Sequence, residues 1–395
     1  MTKATPFVMS GSKDELRSNS RASIKSAAFC LCLLFAVGMT AQQGMTGSGP
    51  GSESTFTTFE APGAGKSANQ GTVPFSINTA GAVAGMYYDA SNAYHGFVRS
   101  AIAKITTFEA PGAGKDAAQG TVSFSINPAG VIAGTYVDAS FVYHGFVRAA
   151  DGKITTFKAP GAGTGAHQGT VPISINTTKA IAGTYLDENN VYQGFLRASD
   201  GEITTFKASE AGTGKSQGTV PLSINTAGVV TGLYRDESNA FHGFVRAANG
   251  KITTFNAPGA GTRQKEGTLP VSIDAAGTIT GLYRDAGFVF HGFVRAAGGK
   301  ITTFEAPGAG AGGYQGTGGL SVNASGAITG AYVDSSNVLH GFARIVSGTT
   351  TTFEAPGAGT GMLQGTFPFS INTAGDITGT YLDASYVYHG FVRTP

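Results

Sequence analysis

The stretch "YVDASFVYHGFVR", residues 136–148, places Asp138 six positions before His144. An aspartate and a histidine at this distance can act as a general acid/base pair, supply two ligands to a metal ion, or fasten a turn by hydrogen bonding. The residue types alone do not choose among these three. The choice depends on the elements that position the pair and on how often the pair occurs.

The pair belongs to a repeat. The phenylalanine of a "TTF" motif recurs every 49 residues, without insertion or deletion, at Phe59, Phe108, Phe157, Phe206, Phe255, Phe304 and Phe353. Residues 55–395 are therefore seven copies of one unit, and the copies form an internal alignment. Positions that the unit requires can be separated from positions that it leaves free.

Each unit contains four short runs with strand character, here called a, b, c and d. Strand a of the first unit, residues 72–78, alternates apolar and polar side chains, which is the period of a β-strand. Its proline, Pro74, cannot donate to a ladder and predicts a sheet edge. Turns of the "NPAG" and "DG" or "NG" types separate a from b and c from d.

Antiparallel four-stranded units of this length, repeated seven times, are typical of a β-propeller. The sequence thus predicts an all-β fold, a seven-bladed β-propeller of four-stranded antiparallel blades. The repeats begin with a strand d at residues 56–61 and stop after a strand c at residues 389–393. We therefore expect the N-terminal strand to join the last blade and close the ring.

The string "SIN..G.I.G.Y.D.....HGF.R", of which residues 125–148 are one instance, resembles the HAF-repeat family of extracellular repeat proteins. The resemblance covers residues 55–395. It implies an extracellular protein and adds little chemistry. The chain has Gly145 where the family name implies alanine.

The N-terminal part predicts export. Residues 1–41 have the form of a signal peptide, with a basic stretch followed by the apolar run "AAFCLCLLFAVGM" at residues 27–39; an uncleaved anchor is the alternative. Residues 42–54 form a Gly/Ser-rich linker. The only cysteines, Cys30 and Cys32, lie in the apolar run, so the mature chain has no thiol. We expect a secreted protein, extracellular or periplasmic, without stable membrane insertion after cleavage.

Charge and composition exclude some partners. Basic and acidic residues nearly balance outside the N-terminal region, which gives no signature of nucleic-acid binding. No motif indicates a cofactor or a metal site. The "PGAG" elements are best interpreted as turns, because a phosphate-binding loop needs a helix to follow it.

The Asp–His pair is better explained as a scaffold than as a catalytic centre. Six equivalent copies, with Gln193 replacing the histidine in the third unit, favour a structural hairpin clamp, because glutamine can donate a hydrogen bond but cannot act as a base. Metal ligation and catalysis stay open as alternatives. The clamp positions are Asp89, His95, Asp138, His144, Asp187, Gln193, Asp236, His242, Asp285, His291, Asp334, His340, Asp383 and His389.

Two further sets recur in every unit. An arginine ends each strand c, as at Arg148, and a tyrosine precedes each clamp aspartate by two residues, as at Tyr136. The arginines can form a ring that binds anions, but we expect them to hydrogen-bond local carbonyls or an acid. The tyrosines can form a sugar-stacking ring, but their alternation with the aspartates favours the core.

The variable positions carry the functional hypothesis. Strand direction places the d-to-a and b-to-c loops on one rim, where the sequence differs between units, and loops on a rigid scaffold are where binding sites are usually built. Neutral drift is the alternative. The candidate ligand-binding residues on this rim are Lys66, Lys115, Asp116, His167, Lys215, Arg263, Lys265, Glu266, Tyr314 and Met362.

The function expected from the sequence is a binding or scaffold module for an extracellular glycan or protein. An extracellular lyase or hydrolase on the same scaffold is one alternative, and a purely structural surface or matrix protein is another. An enzyme should show clustered departures from the repeat, whereas Gln193, Ser209, Glu210, Glu266, Asp274 and Gly319 are scattered. No catalytic residue is therefore assigned.

Overall fold

A computed structural model describes residues 54–395, which form 28 β-strands. The predicted signal peptide and all but the last residue of the predicted linker lie outside the described residues. Across residues 54–395 there is no helix long and apolar enough to cross a membrane.

The strands fall into four classes that recur once per repeat. The a strands are β2 (Gly71–Ile77), β6 (Gly120–Ile126), β10 (Gly169–Ile175), β14 (Gly218–Ile224), β18 (Gly267–Ile273), β22 (Gly316–Val322) and β26 (Gly365–Ile371). The b strands are β3 (Val83–Tyr88), β7 (Ile132–Val137), β11 (Ile181–Leu186), β15 (Val230–Arg235), β19 (Ile279–Arg284), β23 (Ile328–Val333) and β27 (Ile377–Leu382).

The outer half of each repeat holds the remaining two classes. The c strands are β4 (Tyr94–Arg99), β8 (Tyr143–Arg148), β12 (Tyr192–Arg197), β16 (Phe241–Arg246), β20 (Phe290–Arg295), β24 (Leu339–Arg344) and β28 (Tyr388–Thr394). The d strands are β5 (Ile105–Phe108), β9 (Ile154–Phe157), β13 (Ile203–Phe206), β17 (Ile252–Phe255), β21 (Ile301–Phe304), β25 (Thr350–Phe353) and β1 (Thr55–Phe59). Repeat 1 is β2–β5, and repeat 7 is β26–β28 with β1.

Within a repeat the strands pair antiparallel in the order a, b, c, d. In repeat 2, β6 pairs with β7, β7 with β8 and β8 with β9. Strand a carries a β-bulge in every repeat; in repeat 3 the bulge lies between Pro172 and Ser174. Four of the other bulges also begin at a proline, so the missing N–H falls where the ladder is already interrupted.

The prediction of a seven-bladed propeller with separate four-stranded blades is wrong. Strand c of each repeat forms a parallel bridge to the first residue of strand a in the next repeat, as in Tyr143↔Gly169. These bridges join strands a, b and c of all repeats into a closed barrel of 21 strands within one 28-stranded sheet, with the d strands outside. Strand a is therefore not the free sheet edge that its prolines suggested.

Glycine at the start of strand a is the physical reason. Gly169 has φ of 118°, and a Cβ there would lie 2.0 Å from the carbonyl oxygen of Tyr143. Only glycine permits this approach, and the corresponding residues from Gly71 to Gly365 share the positive φ. In the sequence these glycines cannot be distinguished from ordinary turn residues, so the bridges between repeats were not predicted.

The N-terminal strand joins the last repeat as expected, but it does not close the ring. The bridge Gly71↔Tyr388 between β2 and β28 closes the barrel. The N-terminal strand β1 instead pairs antiparallel with the outer side of β28, from Thr55↔Thr394 to Phe59↔Gly390. It supplies the outer strand of repeat 7 and does not form part of the closed ring.

The hydrophobic core lies between adjacent repeats. One cluster combines Val131 and Ala133 of repeat 2 with Ile181, Tyr185 and Phe195 of repeat 3. The phenylalanine of "GF" is fully buried in every repeat, as at Phe195. Each repeat thus covers the apolar face of its neighbour, which is why one unit cannot form a core alone.

The a-to-b turns and c-to-d turns form the second rim, where side chains link the repeats. Asn127 accepts hydrogen bonds from the backbone N–H groups of Ala129 and Val131, and its amide donates to the carbonyl of Asn176 in the next repeat at 3.1 Å. Asn372 donates in the same way to Asn78, across the point of ring closure. In repeat 5 the position is Asp274, which has no amide to donate.

Candidate functional site

The Asp–His pair organises the b-to-c loop. Asp138 Oδ1 accepts hydrogen bonds from the N–H groups of Ser140 and Val142, and Oδ2 lies 2.9 Å from His144 Nε2. The imidazole stacks on Tyr136 with ring centroids 4.7 Å apart. Burial raises the pKa of Asp138, but the hydrogen bonds from Val142, His144 and Ser140 outweigh it and hold the pKa below its usual value. One carboxylate therefore fixes the loop and the start of strand c together.

This arrangement recurs in every repeat, which supports the hairpin-clamp interpretation. The His Nε2 to Asp Oδ2 distances lie between 2.9 and 3.3 Å. In repeat 3, Gln193 Nε2 donates to Asp187 Oδ2 at 3.2 Å and takes the place of the imidazole. The histidine side chains are about one-quarter exposed, as His144 is at 29%, so the pair is only partly buried.

A second carboxylate completes the clamp in four repeats, and the sequence analysis missed it. His95 Nδ1 lies 2.5 Å from Glu109 Oε1 on the residue after strand d. Glu109 Oε2 in turn accepts a hydrogen bond from Thr121 in strand a of the next repeat. The signal is visible in the sequence as a glutamate after "TTF" in the same four units: the contacts are His95–Glu109, His291–Glu305, His340–Glu354 and His389–Glu60.

The flanking glutamates change histidine protonation. Hydrogen bonding to Glu109 raises the pKa of His95 above its usual value, against the opposing effect of burial. Hydrogen bonding to Glu60 raises the pKa of His389 in the same way. For His340, burial lowers the pKa, but the interactions with Glu354 and Asp334 outweigh it and the pKa is raised. In these three clamps the raised pKa favours the protonated imidazole, in which both ring nitrogens donate to carboxylates.

The clamps do not converge on one centre. Within residues 54–395, no three His, Cys, Asp or Glu side chains are arranged to hold a metal ion. One of the scattered departures from the repeat, Glu210, accepts a hydrogen bond from the Tyr234 hydroxyl at 2.5 Å. Tyr234 is only 2% exposed, whereas Glu210 is exposed, so the contact links a buried tyrosine beside the repeat 4 clamp to a surface carboxylate.

The recurrent arginines link neighbouring repeats through aromatic rings. The guanidinium of Arg148 lies 4.7 Å from the ring centroid of Phe108, in strand d of the preceding repeat, and the six equivalent pairs lie within 4.8–5.1 Å. The carbonyl contacts that we expected are long, as from Arg148 to Ala149 at 3.4 Å. The phenylalanine ring, held by a cation–π contact, is therefore the main partner of each of these arginines. The recurrent tyrosines are buried beneath the clamp histidines.

The d-to-a and b-to-c loops form the first rim, where the repeats meet at seven seams. At each seam, a d-to-a residue with positive φ donates its N–H to the carbonyl of a b-to-c residue with positive φ in the preceding repeat. We number each seam by the repeat that gives the b-to-c residue. The pairs are Ala118 with Asn92 (seam 1), His167 with Phe141 (2), Ser216 with Asn190 (3), Lys265 with Asn239 (4), Tyr314 with Phe288 (5), Leu363 with Asn337 (6) and Asn69 with Tyr386 (7).

Three seams carry aromatic side chains in this left-handed conformation. Phe141, Phe288 and Tyr386 have φ between 61° and 63°, where the other four repeats have asparagine. Asparagine tolerates this region, whereas a bulky side chain there is a conformational outlier. The signal was present in the internal alignment, at the third residue after each clamp aspartate, but the sequence analysis did not select these residues.

The aromatic residues of the three seams have different surroundings. At seam 5, Phe288 stacks on Tyr314 with centroids 5.5 Å apart and planes at 19°, and Arg284 lies 5.7 Å from the Tyr314 ring. At seam 2, Phe141 and His167 are 5.7 Å apart. At seam 7, the Tyr386 hydroxyl donates to the carbonyl of Met362, and the side chain is 37% exposed.

The structure places most of the candidate rim residues on the first rim surface. Their exposure varies: Lys66, Lys115, Asp116, Lys215, Arg263 and Lys265 are exposed, and His167, Tyr314 and Met362 are half-buried. Glu266 is different, because it is only 1% exposed and accepts a hydrogen bond from the N–H of Arg263 inside the loop. It occupies the position of a loop-organising glutamine in the other repeats, such as Gln168. Glu266 is therefore not a surface candidate.

The second rim also departs from the uniformity expected from the sequence. Ile102, Ile345 and Val346, on the c-to-d turns of repeats 1 and 6, are 86%, 53% and 76% exposed. Ala103 has φ of 64° where other c-to-d turns have glycine. These turns replace the "DG" and "NG" hairpins of repeats 2 to 4.

Comparisons with known proteins give structural neighbours only. No family model matches the chain. No curated protein matches it either, and membership of the HAF-repeat family stays a prediction. Among solved structures, the chain is similar to the BP39L lectin of Burkholderia pseudomallei, with 9% identity over 87% of this chain and 98% of that one and a TM-score of 0.49.

Two other neighbours are more distant. The Aleuria aurantia lectin, described as a six-bladed β-propeller with fucose recognition, is 12% identical over 76% of this chain and 94% of its own, with a TM-score of 0.41. A TolB-type protein of Agrobacterium tumefaciens is 12% identical over 63% and 80%, with a TM-score of 0.39.

Proposed function

We propose that the protein is a secreted binding module that holds carbohydrate on its first rim. The observation that carries the proposal is the left-handed conformation of Phe141, Phe288 and Tyr386 on loops where four sister repeats have asparagine. Backbone strain of this kind costs on the order of 1–3 kcal/mol per residue and clusters at functional sites. The four sister repeats show that the same turn forms with asparagine, which adopts this conformation at lower cost.

Carbohydrate fits these sites because a pyranose ring has an apolar face of C–H groups and a rim of hydroxyls. The C–H face packs on an aromatic ring, and the hydroxyls need nearby donors and acceptors. At seam 5 the stacked Phe288–Tyr314 pair offers the aromatic surface. The exposed candidates Arg263 and Lys265 lie on the loop that leads into repeat 5, at seam 4, and are not part of this aromatic pair.

Export is the second part of the proposal. The apolar run at residues 27–39 follows a basic stretch and supports a cleaved signal peptide. An extracellular or periplasmic location would bring the first rim into contact with cell-surface or environmental glycans. The experiment below distinguishes carbohydrate binding from the binding of a protein partner to the same aromatic residues.

The test is a glycan-array and calorimetric comparison of the purified protein with the triple variant F141N/F288N/Y386N. Each change installs the residue that repeats 1, 3, 4 and 6 carry at the same position. We expect at least tenfold weaker glycan binding, because each lost stacking contact contributes about 1 kcal/mol. The melting temperature should stay within a few degrees, since relief of strain offsets the lost stacking.

Asn239→Gly is the matched control. Asn239 occupies the same loop position with φ of 64° at seam 4, which has no aromatic residue. This variant should bind as the wild type does. Unchanged glycan binding by the triple variant, or binding only to immobilised proteins, would overturn the carbohydrate proposal.

A further inference from the structure

The three aromatic seams are related by the repeat and share one backbone geometry. The seam hydrogen bonds are His167 N to Phe141 O at 2.7 Å, Tyr314 N to Phe288 O at 2.8 Å and Asn69 N to Tyr386 O at 2.8 Å. The φ values of the three acceptor residues agree within 2°. The three aromatic residues therefore leave equivalent backbone positions toward the same rim.

The three aromatic seams are spread around the ring. Seams 2, 5 and 7 are separated from one another by one or two of the seams 1, 3, 4 and 6, which carry asparagine on the b-to-c side. No two aromatic seams are adjacent, so each has on both sides a seam that carries asparagine at the b-to-c position. Three separate contact points face one direction.

The scaffold holds these points at fixed separations. Parallel bridges between every pair of neighbouring repeats, closed by Gly71↔Tyr388, make one continuous ring. When a ligand binds at one seam, the other two seams therefore face the same polymer or glycan-covered surface, and the protein does not have to become more ordered to contact it. Under these conditions a second contact is intramolecular and raises the overall affinity.

We propose that the physiological ligand is a multivalent carbohydrate, a polymer or a densely displayed surface glycan, which binds seams 2, 5 and 7 at once. This inference rests on the proposed carbohydrate function. The seams are not identical, because the partner residues are His167, Tyr314 and Asn69. Each seam binds one sugar weakly, and simultaneous engagement supplies the affinity.

The experiment uses arrays of mannose, galactose, fucose, glucose and N-acetylglucosamine, each printed at low and high density, with the full-length exported protein. Single variants Phe141→Asn, Phe288→Asn and Tyr386→Asn are compared with the control Asn239→Gly. For the sugar that binds, we expect at least 100-fold stronger apparent affinity at high density. Each single variant should weaken high-density binding, and calorimetry with the free methyl glycoside should show three sites falling to two.

The outcomes separate the two proposals. Binding that does not depend on density and is abolished by one variant alone shows a single site, which overturns the multivalent inference but keeps the carbohydrate function. Density-dependent binding that is unaffected by all three variants places the sites elsewhere and overturns both. Absence of binding to every printed sugar also overturns both proposals.

Discussion

The two rims of the barrel are built from the same repeated unit but use their polar and aromatic groups differently. On the second rim, asparagines such as Asn127 accept from their own turn and donate to the next repeat. On the first rim, backbone hydrogen bonds cross all seven seams, and the side chains of the donor residues vary from Ala118 to Tyr314. The side chains of the second rim hold the ring together, so those of the first rim can change without loss of the fold.

The two rims also differ in backbone strain. At seams 2, 5 and 7 the first rim has aromatic residues in a conformation that asparagine or glycine would adopt at lower cost. The second rim keeps glycine at most of the equivalent turn positions, with Ala103 and Lys179 as departures. A substitution on each rim should therefore affect a different property.

The largest expected effect is on the second rim. Asn127→Leu removes the acceptor for two backbone N–H groups and the donor to Asn176, and the position is 1% exposed. Because buried groups left without partners cost about 1–3 kcal/mol each, we expect the free energy of unfolding to fall by roughly 3 kcal/mol. Urea denaturation measures the loss, and glycan binding by the folded fraction should not change.

Asn127→Asp is the matched control, because repeat 5 has Asp274 at this position. Asp274 Oδ1 still accepts from the N–H of Thr278 at 2.8 Å. The aspartate variant should therefore keep the turn hydrogen bond from Val131, lose the inter-repeat donor, and be destabilised by about 1 kcal/mol. Equal losses for the two variants would show that the inter-repeat and turn hydrogen bonds do not contribute as described.

Much of the local structure could be predicted from the sequence. Period-two alternation at residues 72–78 and the tight "DG" turn at residues 151–152 identify strands and hairpins, because both depend on neighbouring residues only. The bridge Tyr143↔Gly169 could not be predicted, because it depends on a backbone approach between residues of different repeats. For this reason the hairpins were correct and the separate blades were not.

The candidate site shows the same limit. The Asp–His contact spans six residues and follows from one hairpin, so the internal alignment was sufficient to find it. The His95–Glu109 contact spans 14 residues and requires the register of strands c and d. The aromatic seams were missed for a third reason, since a sequence shows that Phe141 replaces asparagine but not that its φ is positive.

An intermediate effect is expected at the clamps that end on the first rim. The pKa values of His95, His340 and His389 are raised in the folded protein. Their stabilising contribution is fully present below the unfolded pKa of about 6.5 and is lost as pH rises through the folded pKa. The pKa values of Asp89, Asp138, Asp236 and Asp383 are lowered, so their contribution is present above about pH 3.9 and is lost in acid.

Thermal denaturation from pH 3 to pH 9 should therefore give a maximum between about pH 4 and pH 6.5. The triple variant H95Q/H340Q/H389Q, which copies the Gln193 clamp of repeat 3, should flatten the decline above pH 6.5. His144→Gln is the control, because repeat 2 has Lys158 at the position after "TTF" where the three clamps of the triple variant have the flanking glutamate. An unchanged alkaline decline in the triple variant would contradict the role of the flanking glutamates.

The smallest expected effect is a gain in stability on the second rim. Ala103 has φ of 64° on an exposed turn, and a left-handed L-residue costs roughly 1 kcal/mol relative to glycine. Ala103→Gly should therefore raise the melting temperature by about 2 °C. Gly250→Ala, at the equivalent turn of repeat 4 with φ of 91°, should lower it by a similar amount. If both substitutions leave the melting temperature unchanged, the turn strain is relieved by local adjustment, and the contrast between the rims lies in their side chains alone.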